Sequence, residues 1–365
     1  MTMVMGRTME TSSRLVSLDV FRGITMAAMV VVNNPGDWGS VYAPLLHAPW
    51  DGWTPTDLIF PFFLFIVGVA ITLSKRSAST ASILKRAAVI FVVGLLLSGY
   101  PHFDLSTWRI PGVLQRIAIC YAVAALVYAR WRRPPVIAAV AVALMVGYWI
   151  MMRVVPVPGG EAGDLSPEGN LGAYVDRMLM AGHLWKPGWD PEGLLSTVPA
   201  IATTLLGILG GVWIRGTEAA SRKAVILALA GLGAVVAGFA WDVVFPINKS
   251  LWTSSYVLFS AGAAALFLAL CYYVIDVRGW RWWTVPFVIL GVNALALYAL
   301  SSLLASTLGS IRLGEGATLQ GWIYATVFEP LASPKNASLL YALANLALLF
   351  LVLLWMYRRR IFLRA

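Results

Sequence analysis

Ten times along the chain a run of roughly twenty mostly apolar residues recurs, and this repetition confines the chain to one kind of solvent. The hydrocarbon core of a bilayer is about 30 Å thick, and a helix rising about 1.5 Å per residue crosses it in about 20 residues. The runs fall at 18–33, 57–74, 83–99, 110–129, 135–155, 194–214, 224–245, 251–275, 284–307 and 338–357, several of them interrupted by Gly, Pro or a polar residue. Within hydrocarbon every backbone N–H and C=O must find its partner inside the protein, so runs of this length are expected to be helices. The expected fold is therefore all-α, a polytopic membrane protein with about ten transmembrane helices.

Charge supports the same solvent. Only 12% of residues are charged and 59% are hydrophobic, whereas soluble domains carry about a quarter charged residues. The net charge of +10 would suit nucleic acid if it formed a basic face. Instead the cations form short clusters at the ends of apolar runs, so no nucleic-acid partner is expected and the lipid bilayer is. Counted on alternate sides of the runs, Lys and Arg divide 19 to 8. The richer side carries Lys85-Arg86, Arg132-Arg133 and Arg358-Arg359-Arg360. Positive charge marks the cytoplasmic side, which places both termini in the cytoplasm. The loops 34–56, 100–109, 156–193, 246–250 and 308–337 are then exoplasmic, and with them His47, His102 and His183.

The polar segment 1–13 has no apolar core and reads as a flexible cytoplasmic N-terminus. No internal repeat is visible, so residues 1–365 are expected to form one integral-membrane domain. Cys120 and Cys271 each sit inside an apolar run without metal-ligand spacing, as small core residues do, and no metal is expected. Walker, dinucleotide and H-E-x-x-H motifs are all missing.

The densest polar signal joins the first two runs. Asn33-Asn34-Pro35-Gly36-Asp37-Trp38 is followed by His47-Ala48-Pro49-Trp50-Asp51-Gly52-Trp53-Thr54-Pro55-Thr56-Asp57. Histidine is suited to moving protons near neutral pH. An interfacial loop would also collect Trp, Asn, Gly and Pro without any chemistry. Thr54-Pro55-Thr56-Asp57 has the form of a helix start, and Asp190-Pro191-Glu192 repeats it before the sixth run. Asp19 with Arg22, and Gln115 with Arg116, put ionisable or amide groups inside apolar runs, where they face a partner or a cavity. Asn293 reads as interhelical glue or a pocket residue.

Residues 14–23 (Arg-Leu-Val-Ser-Leu-Asp-Val-Phe-Arg-Gly), the His47–Thr54 stretch and Asp57-Leu58-Ile59-Phe60-Pro61-Phe62-Phe63-Leu64-Phe65 resemble the heparan-α-glucosaminide N-acetyltransferase family and its bacterial relatives. The resemblance continues through Pro111-Gly112-Val113-Leu114-Gln115-Arg116-Ile117, Asp190-Pro191-Glu192-Gly193-Leu194-Leu195-Ser196 and Pro246-Ile247-Asn248-Lys249-Ser250-Leu251-Trp252-Thr253. It implies an acetyltransferase of the bacterial inner membrane that takes acetyl from cytosolic acetyl-CoA, as cosubstrate, to an amino sugar of glucosamine type on the exoplasmic side. The family's catalytic histidine falls on His47 and its asparagine on Asn33. Acceptor contacts are then expected from Asp57, Trp50, Arg116 and Asn293, and acetyl-CoA contacts from Arg22 and Gln115. His47 would act as general base and Asn33 would donate to the oxyanion or fix the imidazole tautomer. Direct transfer is expected over an acetyl-histidine, with a polar tunnel leading to His47 and Asn33. The lysosomal relative suggests a homodimer, which no residue pattern here specifies. A sugar permease would also use about ten helices, but such transporters often carry inverted repeats.

Overall fold

The computed structural model of the protein describes residues 15–74, 79–313 and 316–363, so the N-terminal segment 1–13 lies outside the described residues. Helix α1 spans Val16–Asn33, α2 Ile59–Leu73, α3 Thr80–Gly99, α4 Val113–Arg130 and α5 Pro134–Val154. A short α6, Leu171–Met180, precedes α7 at Leu194–Arg215, α8 at Ala220–Asp242 and α9 at Ser254–Cys271. Then come α10 at Val285–Val292, α11 at Ala294–Ser310, the five-residue α12 at Leu319–Ile323 and α13 at Pro334–Arg358. Among the described residues the strands are a two-residue pair, β1 (Arg312–Leu313) antiparallel to β2 (Ala317–Thr318).

Nine helices among the described residues are long and apolar enough to cross a membrane, and α10 with α11 makes a tenth crossing if the pair is counted as one span. The expected helix over 284–307 is thus not continuous. Its two halves meet at 79°, because Asn293, with φ −116° and ψ 36°, leaves the helical region at the joint.

The bundle is arranged inside out relative to a soluble protein. Ser196, Thr197, Thr203 and Thr204 of α7 and Ser254, Ser255 and Ser260 of α9 are buried, whereas Leu84, Val92 and Leu96 of α3 and Leu229 and Val236 of α8 are exposed. Apolar side chains gain nothing from facing one another rather than acyl chains, so helix contact depends on close packing of small residues. A Cβ added at Gly68 of α2 would lie 2.0 Å from the Thr204 carbonyl oxygen, and one at Gly207 of α7 2.1 Å from that of Phe65. In the same way Gly23 of α1 lies on Phe287 and Gly291 of α10 on Asp19.

These contacts sort the helix ends. The Ser17 N–H at the start of α1 donates to Asp276, just beyond α9, at 3.2 Å. Asn293, beside that same end, holds Ile361 and Leu363 after α13. The first and last described residues therefore meet at one end of the bundle. At the other end Asn34 donates to Ser301 of α11 at 3.0 Å, and the Asp37 N–H donates to Ser338 of α13 at 3.1 Å. The loop carrying His47 is at this second end.

Candidate active site

The 3₁₀ turn Pro55–Leu58 opens the second crossing, and Asp57 is its organising residue. One carboxylate oxygen, Oδ2, accepts the N–H of Thr54 at 2.9 Å and of Ala48 at 3.0 Å. The other, Oδ1, lies 2.6 Å from Nδ1 of His47. An ionised carboxylate can only accept, so Nδ1 carries a proton, and in the neutral ring the lone pair is then on Nε2. The Asp57 side chain is 1% exposed and that of His47 48%. A buried carboxylate thus orients a half-exposed imidazole. Asp57 is both the expected helix-start residue and the orienter of His47. Both its oxygens are engaged by the protein, and among the two residues expected near the imidazole it is Asp57 that touches Nδ1.

A second loop is sewn to this one. The Gly52 N–H donates to the Ile247 carbonyl at 2.7 Å, and Asn248 Nδ2 to Asp51 at 3.1 Å. Asn248 also closes its own loop, accepting the Leu251 N–H at 2.8 Å. Trp252 beyond it holds φ +52°, a left-handed conformation unusual for a bulky residue. The result is that Lys249 Nζ stands 3.3 Å from Nε2 and 3.5 Å from Nδ1 of His47. Burial pulls the Lys249 ammonium below the ordinary lysine pKa, working against the carboxylates of Glu192 and Asp57.

Asn33 lines a cavity of about 290 Å³ between the closing turn of α1, α3, the start of α4 and α11. Gln115 shares the wall with Asn34, Ser98, Ser301, Ser302, Ser306, Tyr298 and Arg109. Gln115 Nε2 is buried without a hydrogen-bond partner among the described residues. The cavity reaches Asn33 but His47 does not line it, so it does not by itself supply the expected tunnel leading to both residues. The link is electrostatic. Arg109 at the cavity wall forms a two-pronged pair with Asp190, at 2.8 and 2.6 Å, and reaches Glu192 at 2.6 Å. Burial disfavours its charge, but the two carboxylates outweigh burial and hold the Arg109 pKa above the ordinary arginine value.

Asp190 was expected to cap the helix after it. Its oxygens instead serve Arg109 and the N–H groups of Trp185 and Glu192. The cap on α7 comes from Asp176 of α6, which accepts the Leu194 N–H at 2.9 Å. Burial pushes the Asp176 carboxyl up to about 6.

Trp50 donates from Nε1 to the Leu165 carbonyl at 2.9 Å and packs edge-on against Trp189, fastening the 156–193 segment to the His47 loop. Arg116 is 1% exposed. It donates to Gly193 O at 3.1 Å and Ser196 Oγ at 2.5 Å, and lies over the Trp252 ring. Only Nη2 is engaged by these donations; Nε and Nη1 are buried without a hydrogen-bond partner among the described residues.

Arg22 and Asn293 are at the far end. Arg22 meets Asp19 and the Gly291 carbonyl, each at 3.3 Å. Asn293 donates to Ile361 O at 3.2 Å and accepts the Leu363 N–H at 3.1 Å. Asn293 is therefore not an acceptor contact beside His47, since α1 alone separates the two ends by about 27 Å at 1.5 Å per residue.

Sequence reasoning missed Lys249, Arg109 and Asp176. Lys249 was visible only as part of the Pro246–Thr253 resemblance, and a lone Lys or Asp in a loop carries no pattern that announces its partner.

Comparison with known proteins bears on the same stretch of chain. Residues 14–240 match the family described as heparan-alpha-glucosaminide N-acetyltransferase, catalytic. Heparan-alpha-glucosaminide N-acetyltransferase of Homo sapiens is 30% identical over 355 residues, covering 78% of this chain and 52% of the human protein. The Mus musculus protein of the same name is 30% identical over 354 residues, covering 79% and 53%. The chain spans about half the length of the curated relatives it matches.

Proposed function

The chain belongs to the heparan-α-glucosaminide N-acetyltransferase family, and on that premise we propose that it is a transmembrane acyltransferase carrying acetyl from acetyl-CoA to the amine of an amino sugar. Residues 1–365 act as one integral-membrane domain of a bacterial inner membrane. Both termini are cytoplasmic, and His47 is at the exoplasmic end. A homodimer is the assembly we propose to test for. The observation that carries the chemistry is the 2.6 Å contact between His47 Nδ1 and the buried Asp57 carboxylate.

An amino sugar is largely an ammonium at neutral pH and must lose a proton to become a nucleophile. His47 Nε2 accepts that proton while Asp57 keeps the imidazole in the tautomer that can do so. The freed amine attacks the thioester carbonyl, the C–N bond forms, the C–S bond breaks, and the thiolate leaves and takes up a proton. Among the described residues lining the cavity, Arg109 is the only charged side chain, and the two carboxylates that pair with it are not in the lining. A cationic sugar gains nothing from such a wall, whereas the amides and thioester of the pantetheine arm match its hydroxyls and carboxamides. We therefore assign the cavity to the acyl end of acetyl-CoA. Asn33 would donate to the developing oxyanion, and Gln115 Nε2, which lacks a partner, to a pantetheine carbonyl.

The test is release of free CoA thiol by the purified, bilayer-reconstituted protein given acetyl-CoA and a panel of amino sugars. Release that requires an amino sugar and yields the N-acetyl product supports the reading. Transport of intact sugar without thiol release overturns it.

A further inference from the structure

Lys249 is the group nearest the proposed base that the reaction above does not use. Its ammonium is almost equidistant from the two ring nitrogens of His47, at 3.3 and 3.5 Å. Near-equidistance puts it off the outward lone-pair axis of Nε2. The position is built. Gly52 and Asp51 of the His47 loop are hydrogen-bonded to Ile247 and Asn248, the two residues before Lys249. Asn248 is fully buried, and its N–H is held by Thr253 at 3.0 Å. A surface lysine meeting a histidine by chance would not need two loops fastened together to hold it there.

We propose that Lys249 is a positioning residue for the base, its ammonium opposing protonation of the imidazole so that Nε2 stays ready to take the acceptor's proton. This inference rests on His47 being the base. An ammonium within 3.5 Å attracts a neutral imidazole nitrogen and repels an imidazolium. Asp57, at Nδ1, would by itself favour the imidazolium, so a carboxylate alone would orient the base and also tend to fill it with a proton. Lys249 offsets the second effect and leaves the first. The charged groups around it come from several elements: Asp57 from the turn before α2, Glu192 from the loop before α7, Arg116 from α4 and Arg109 from the loop before α4. The two carboxylates favour the ammonium, while burial and the two arginines disfavour it.

The experiment uses the full chain in lipid nanodiscs, with acetyl-CoA and glucosamine as probes. Rates are followed between about pH 5 and about pH 9 for the wild type, Lys249→Met, Lys249→Arg and His47→Ala. The acceptor's own ammonium titrates alike for every variant, so only differences between curves are read. Lys249→Met should move the acid limb of kcat/KM upward by about one pH unit or more, a roughly tenfold loss at the acid end. It should rejoin the wild type at the alkaline end with KM for glucosamine little changed. Lys249→Arg, which keeps the charge, should keep the wild-type limb. A Lys249→Met curve that runs parallel below the wild type, an unmoved limb with raised KM, or loss of activity at every pH would overturn the proposal. The His47→Ala arm separates the two readings. If that variant turns over like the wild type, the base assignment itself fails. If it is inactive while Lys249→Met and wild-type curves superimpose, only the role of Lys249 falls.

Discussion

The two ends of the bundle use the same kinds of residue to different purpose. At the end where α1 begins, Asp19, Arg22 and Asn293 engage one another's backbone neighbours and the chain after α13, and their hydrogen bonds close a junction between helices. At the end where α1 closes, Asp57, Lys249, Arg109, Asp190 and Glu192 are also paired, but the His47 ring that Asp57 and Lys249 flank stays half-exposed. Polar residues inside an apolar bundle are costly in either place. The difference is that one arrangement ties helix to chain while the other holds a half-exposed imidazole at the surface, and only the second can meet something that arrives.

The contrast can be broken at its strongest point by Asp57→Asn, which keeps the shape but offers an amide where a carboxylate fixed the tautomer. Acetyl transfer should fall by up to about 10⁴-fold, measured as initial rate of thiol release. A fall under about tenfold would mean that the pair is a helix-start device only. Asn33→Ala, removing one oxyanion donor, should cost about 10²-fold in kcat, and an unchanged kcat would return Asn33 to the role of a turn residue.

Asp176 sharpens the comparison through stability. Its folded pKa of about 6 lies above the ordinary carboxylate value, so the folded protein binds this proton more tightly than the unfolded chain does. Its contribution is fully present below about pH 4 and is lost as the pH rises through about 6, a loss of roughly 3 kcal/mol. Thermal melts of Asp176→Asn should lack that slope while keeping the α7 cap; a slope equal to wild type would reassign it to another group. The smallest effect belongs to the other end. Asn293→Ala should lower stability by about 1 kcal/mol and leave the acceptor KM within about threefold. A tenfold rise in that KM would place Asn293 at the acceptor after all.

Apolar runs near twenty residues long made the crossings legible, because in hydrocarbon length and composition nearly determine the helix. The break at Asn293 was less so: one asparagine in an apolar run signals equally a hydrogen bond along a straight helix and a joint between two. His47 and Asp57 could be picked out singly, but their contact spans ten positions through an irregular loop, where no periodicity fixes which side chains meet. Lys249 is harder still, since the pairing crosses from residue 47 to residue 249 and depends on Gly52, Asp51 and Asn248 fastening two loops. Arg116 shows the converse. Intramembrane charge suggested a ligand contact, and the structure buries it under the Trp252 ring with Nη2 on the Gly193 carbonyl and Ser196.

The central claim is that His47 moves the proton that makes the acceptor nucleophilic. The measurement closest to it is the rate of N-acetyl product formation by His47→Ala in nanodiscs at saturating acetyl-CoA and glucosamine, with acetyl-CoA affinity measured on the same sample. The account predicts a loss of at least about 10²-fold, and up to about 10⁴-fold, in that rate with acetyl-CoA affinity unchanged. Product formation within a few-fold of wild type in a folded, acetyl-CoA-binding variant would contradict it.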